Sequence, residues 1–365
     1  MGVNREPASD TKKTIAQLKA ESRTWWGLYS LETEISFSIG RPDTLGADIY
    51  HNRKIPVVGM ETVADHVNPE MLEPPHCAII GCMVDLSRIT RTICQKIYLS
   101  NPSMSDMIAL TNNIETELDD WIDRLPPAIR PYVQNQLQQR SSLSSAKDAV
   151  WVKRQRLVLS IRYHNLKILL FGSLLIRSSP AERKDIPGCL ENTHKCLESA
   201  KQTITLIYQT YAHNDFFQTW FYNATYTVFA ASVVLLYVTQ GSAISEEIRS
   251  LFELVDMAVE ILESMDESVV AVEAAKLLRR ARDKAESRRS SESAATCHEN
   301  NLGHAPPEHH PVDPLFNHVE GHSTQLNHYW GSLGLIDGNG MDFDIATQLG
   351  AFDQNNPMFL FLGDQ

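Results

Sequence analysis

At 365 residues with 43% hydrophobic side chains, the chain holds enough apolar material for a substantial core, which excludes a wholly disordered protein. Its formal net charge of -12 excludes nonspecific attraction to nucleic acid or anionic lipid as the basis of its action. The charge is uneven: residues 290–365 carry ten Asp and Glu and no Lys or Arg, while residues 1–289 hold 33 bases against 35 acids.

The first residues, MGVNREPASDTKK, contain no apolar signal region, and Glu6 stands where an N-myristoylation pattern needs Ser or Thr. Six cysteines without a secretory signal are expected to be reduced thiols of the cytosol or nucleus. Helical periodicity begins near residue 11 and predicts a helix over 11–39, with Trp25, Trp26, Tyr29, Ile35 and Ile39 at roughly helical spacing. Gly40 suits the left-handed position that ends a helix, and Pro42 forbids continuation. A Pro- and Asp-rich loop over 43–75 leads to helices over 78–99 and 105–124, the second stopped by Pro126 and Pro127.

Within that third helix, the stretch DDWID places Asp119 and Asp123 four residues apart, so their carboxylates, with Asp120, could hold magnesium against a diphosphate. This resembles the first aspartate motif of class I terpenoid synthases, which are also all-α. The second metal motif of those enzymes is missing, since Gln218 and Tyr222 fill the ligand positions of NDFFQTWFY. The competing reading is an amphipathic helix with Leu118, Trp121, Ile122 and Leu125 inward and the acids in water.

A Gln- and Ser-rich linker over 134–148 precedes a long helix over 149–176, then helices over 188–212, 219–239, 244–266 and 269–288. The run WFYNATYTVFAASVVLLYV (220–238) is long enough to span a bilayer. Asn223, the threonines at 219, 225, 227 and 239 in and beside the run, and the lack of flanking Lys or Arg favour instead a central helix buried on all sides. No period-2 alternation of useful length occurs, so the expected fold class is all-α, a bundle of several helices followed by a disordered acidic tail.

Cys77, Cys82, Cys94, Cys189, Cys196 and Cys297 include no C-x-x-C pair, which leaves a compact zinc site unsupported and suggests small fillers of helix interfaces. Seven histidines fall between His298 and His328, where a solvated tract is expected rather than a metal site. No nucleophile elbow, phosphate loop or dinucleotide fingerprint is present. The basic cluster LLRRARDKAESRR (277–289) reads as a solvated helix end or a weak nuclear import signal.

Residues 290–365 are polar, His- and Pro-bearing, and are expected to be disordered. Their last stretch mixes acids with Phe343, Leu349, Phe352, Phe359, Leu360, Phe361 and Leu362, the composition of an amphipathic activation segment. Acids keep those side chains solvated until a partner groove buries them. Docking of the tail on its own bundle is the alternative.

The stretch RTWWGLYSLETEISFSIGRP (23–42) resembles the signature of the middle regulatory domain of fungal zinc-cluster transcription factors. The matching residues are Arg23, Trp25, Trp26, Tyr29, Leu31, Ser36, Gly40, Arg41 and Pro42, with Leu45, Asp48, Ile49 and Ile55-Pro56 following. Glu32, Thr33 and Tyr50 depart from the family pattern. IRYHNLKILL (161–170) and LDDWIDRLPP (118–127) resemble two further family helices, so the likeness covers about residues 20–240.

The resemblance implies a nuclear, non-catalytic regulator of a metabolic or biosynthetic gene set, with no cofactor and no metal. Its expected partners are the transcription machinery or co-regulators, and a homo- or heterodimer with a DNA-binding regulator through which DNA is reached indirectly. The implied organisation is a regulatory domain over 1–289 and an activation-like tail over 290–365. The family's cysteine cluster is not found here and the signature begins close to Met1, so an N-terminally truncated regulator is expected. Trp25 and Trp26 point about 100° apart on their helix and can pack against two different neighbours. Arg41 is placed to reach the last carbonyls of the helix or the Glu32 carboxylate.

Overall fold

A computed structural model describes residues 2–7, 12–38, 43–46, 48–59, 68–100, 102–131, 148–211, 222–240 and 245–299, with side chains as far as Arg289 except those of Ser38, Ser245 and Glu246. Helix α1 is Ile15–Ser38. After short 3-10 turns at Asp48–Tyr50, Pro69–Met71 and Pro75–Cys77 comes α2, Ala78–Ile93, which runs into a π-helical turn at Cys94–Leu99. Then follow α3 (Met104–Arg124), α4 (Val150–Arg177), the single-turn α5 (Pro180–Asp185) and α6 (Cys189–Tyr211). Last come α7 (Asn223–Thr239), α8 (Ser245–Ser264) and α9 (Val269–Glu299). Among the described residues the sole β interaction is an isolated bridge between Val58 and Glu73.

Local chemistry sets several of these ends. Ser103 accepts from the Asp106 backbone N–H at the start of α3, and Leu125 leaves the helix in extended conformation just before Pro126. Ser179 and Glu182 form a reciprocal capping box at α5, with Pro180 in the first helical position. Packing order follows chain order: α1 lies on α2, α2 on α3 and α4, and α4 most extensively on α6.

Helix α7 is the centre of the second half. It touches α4, α6, α8 and α9, and every residue from Ala230 to Val238 is buried. The uncharged run is therefore a core helix. None of the described helices is long and apolar enough to cross a membrane.

The aspartates of DDWID face water. Asp119, Asp120 and Asp123 are exposed, whereas Leu118, Trp121, Ile122 and Leu125 are buried. Trp121 Nε1 donates to the Cys82 carbonyl of α2 at 3.0 Å, which fixes the inward face of α3, and Tyr163 of α4 donates to Asp119 at 3.2 Å. The terpenoid-synthase alternative fails on this geometry, because its carboxylates must converge inside the bundle. Among the described residues no three His, Cys, Asp or Glu side chains are placed to hold a metal.

One boundary differs from expectation. Helix α9 continues ten residues past Arg289, to Glu299. The polar composition beginning at Ser290 offers nothing to bury, yet neither Gly nor Pro interrupts the chain before Gly303, and Ser, Ala and Glu sustain a helix already begun. The tail side chains from Phe343 to Leu362 lie outside the described residues, as do Gly40, Arg41 and Pro42.

The two faces of α3 should respond differently to truncation. Trp121→Ala is expected to lower unfolding free energy by about 3–5 kcal/mol. Asp123→Ala should change it by no more than about 0.5 kcal/mol. Chemical denaturation of the two variants followed by circular dichroism checks both.

Candidate functional site

The residues of the Trp-Trp signature meet on α1, where the 43–59 segment and α2 close over them. Trp26, 3% exposed, donates from Nε1 to the Lys54 carbonyl at 3.1 Å. Ser22, one turn earlier, donates to the same carbonyl at 2.7 Å. A tryptophan and a serine four residues apart thus hold one point of the loop against the helix. Trp25 points elsewhere, against the His51 ring at 4.9 Å between centroids, and Trp26 meets Tyr29 edge-on at 5.2 Å. His51 Nε2 lies 3.0 Å from the Leu45 carbonyl, an obligate acceptor, so the proton sits on that nitrogen.

Tyr29 is wholly buried, and its hydroxyl donates to Asp48 at 2.9 Å. Arg91, from α2, completes the arrangement. It grips Asp43 through two nitrogens at 2.9 and 3.1 Å, reaches Asp48 at 2.6 Å, and lies over the Tyr29 ring 5.1 Å from its centroid. Arg88 adds a contact to the second Asp48 oxygen at 3.1 Å. Burial, together with the adjoining Asp48 carboxylate, pushes the Tyr29 hydroxyl up to about 12. Burial alone would raise Asp48, but the Tyr29 hydroxyl and the two arginines outweigh it and hold the carboxyl below its ordinary range.

Other side chains of α1 also make loop contacts. Arg23 donates to the buried Glu73 at 2.8 Å, and Lys19 to the Leu72 carbonyl at 2.7 Å. The Glu73 backbone N–H in turn bonds Val57 at 2.7 Å. Glu32 accepts from the Thr44 backbone and hydroxyl at 3.0 and 2.8 Å, which gives that carboxylate loop partners besides the Arg41 proposed from sequence. Arg53, almost fully buried, joins Glu21 at 2.7 Å to the Val3 carbonyl at 2.8 Å. Farther along α1, Glu34 takes hydrogen bonds from Arg162 of α4 and Tyr226 of α7.

Sequence reasoning missed Arg91, Arg53, Asp43 and His51 as partners. No local pattern flags them, because each meets α1 from a separate element.

Chemically this is a clamp. Most of its polar groups are spent on one another, though Trp25 Nε1 and His51 Nδ1 are buried without a partner. Burial pushes the Cys82 and Cys196 thiols up to about 12, so both stay protonated at neutral pH.

The Tyr29 hydroxyl gives the clamp a pH signature. Its proton is held more tightly in the folded chain, so the associated stability is complete below the ordinary value of 10 and is lost as pH rises through about 12. Tyr29→Phe is expected to cost about 1 kcal/mol at neutral pH. It should also flatten that alkaline loss by roughly 2 kcal/mol relative to the parent chain. Urea unfolding at several pH values checks both terms.

Comparison with known proteins bears on the same region. Residues 1–123 match the family model described as the fungal specific transcription factor domain. The chain is 24% identical over 264 residues to transcription factor FBD3 of Gibberella moniliformis, covering 66% of this chain and 34% of that protein. It is 23% identical over 282 residues to transcription factor FBD3 of Fusarium pseudograminearum, covering 69% and 36%. A transcriptional regulatory protein of Schizosaccharomyces pombe is 22% identical over 219 residues, covering 59% and 25%. The chain therefore spans about a third of the length of the first two relatives. No solved structure matches. The matched region takes in α1, the described parts of the loop that closes over it, α2 and nearly all of α3.

Proposed function

We propose that this chain is a nuclear transcriptional regulator of a metabolic or biosynthetic gene set, acting through contacts rather than catalysis. The observation that carries the reading is the family match over residues 1–123, the part of the chain that includes the Trp-Trp clamp. The relatives named as transcription factors support the same role. In this reading residues 1–289 are the regulatory body. Arg23, Trp25, Trp26, Tyr29 and Glu32 serve it structurally by fixing the loop between α1 and α2, and Gly40, Arg41 and Pro42 complete the signature in sequence.

Residues 290–365 are the effector segment. Acids keep Phe343, Leu349, Phe352 and the Phe359–Leu362 cluster in water until a co-regulator or the transcription machinery supplies an apolar groove. With a net charge of -12, the chain would reach DNA through a DNA-binding module outside these residues or through a dimeric partner that carries one.

Tethering residues 331–365 to an unrelated DNA-binding domain is expected to switch on a reporter bearing its site. Replacing Phe359, Leu360, Phe361 and Leu362 by Ala should return the signal to background. A silent reporter, with the parent fusion expressed and nuclear, would count against an activating tail.

A further inference from the structure

Buried hydroxyls in this structure follow one habit. Ser30, Thr33, Ser87, Thr203 and Ser232 each donate to the carbonyl four residues back, and every other buried Ser or Thr among the described residues has a partner except one. Thr227 of α7 is 0% exposed and its hydroxyl has no hydrogen-bond partner. One turn earlier, Asn223 is also 0% exposed, and both its amide nitrogen and its amide oxygen are unpartnered. Residues four apart share a helix face, so two donor–acceptor groups stand together inside the bundle. Such groups cost folding free energy unless something answers them, and native interiors answer nearly all of them.

The surroundings narrow what could do so. Tyr226, on the same face of α7, spends its hydroxyl on Glu34, and Arg162 pairs with the same carboxylate while its Nε–H stays buried and unpartnered. Arg162 and Glu34 neutralise each other, and burial would penalise an added ion. The Tyr222 and Tyr226 rings pack edge-on at 5.6 Å beside Asn223 in the chain. A side-chain amide presents a donor next to an acceptor, and its complement is another edge of that kind: a primary amide, a lactam or a heterocyclic base.

We propose that the start of α7, with Asn223 and Thr227 as its recognition groups, binds a small uncharged molecule bearing an amide-like donor–acceptor edge. The site belongs to the bundle and stands independently of the transcriptional reading.

The test uses the full chain. Thermal melts and isothermal titration are run with millimolar nicotinamide and uracil, and with nicotinate as the charged counterpart. The neutral probes are expected to raise the melting temperature and nicotinate to leave it unchanged. Asn223→Leu and Thr227→Val should each remove the shift and weaken binding roughly tenfold or more, the loss of one buried hydrogen bond. Thr227→Val, nearly isosteric, serves alone if Asn223→Leu does not fold. If neither neutral probe shifts the parent chain, or the shift survives in both variants, the proposal is overturned. Variants that simply melt higher with no probe response would mean that these groups hold only water or carry an uncompensated burial cost.

Discussion

Helix α7 has no polar face to offer water, and the second half of the chain is arranged around that constraint. Its Ala, Val and Leu side chains point in every direction, so a single neighbour could not cover them, and α4, α6, α8 and α9 all lie against it. Each fully buried Val or Leu contributes about 1.5–3 kcal/mol relative to exposure. A helix of this kind has no stable place outside a core or a membrane, and at 17 residues it suits the core. The amphipathic helices α6 and α8 complete the enclosure with their own apolar faces inward.

The first half solves a different problem. Helix α1 has Trp26 and Tyr29 on its buried side, yet much of what covers them is irregular chain, the 43–59 segment, whose backbone polar groups need partners. Side chains of α1 and α2 supply them. Trp26 and Ser22 hold one carbonyl, Arg23 and Lys19 the segment near Glu73, and Arg91 reaches across from α2 to fasten two aspartates and cover an aromatic ring. The Trp-Trp cluster thus consists of tethers for a loop. Glu34 then ties α1 to α4 and α7, joining the matched N-terminal region to the helices beyond it.

Helix positions and buried faces were legible in the sequence because they depend on periodicity. Leu118, Trp121 and Ile122 announced the inner face of α3, and that face in turn decided against a metal role for the neighbouring aspartates. The uncharged run around α7 was equally readable once Asn223 and its threonines were weighed. What stayed hidden was every interaction between charged groups far apart in the chain. Arg91 with Asp43, Arg53 with Glu21 and Arg162 with Glu34 obey no spacing rule, since the fold alone brings them together. Glu32 illustrates the same point: no spacing rule points to Thr44, which the folded loop brings to it. The end of α9 lies beyond the change of composition for another reason. A change of composition marks where burial stops, and a helix stops only where its backbone is obstructed or its stability runs out.

Helix α7, enclosed by four other helices, should be the last element to open. The measurement to make is amide hydrogen exchange of the full chain, read by mass spectrometry on peptides across 222–240. These amides are expected to exchange only through global unfolding, more slowly than those of α1 or of α9 beyond Arg289. Exchange of the α7 amides as fast as that of the α9 end, under conditions where the chain stays folded, would contradict it.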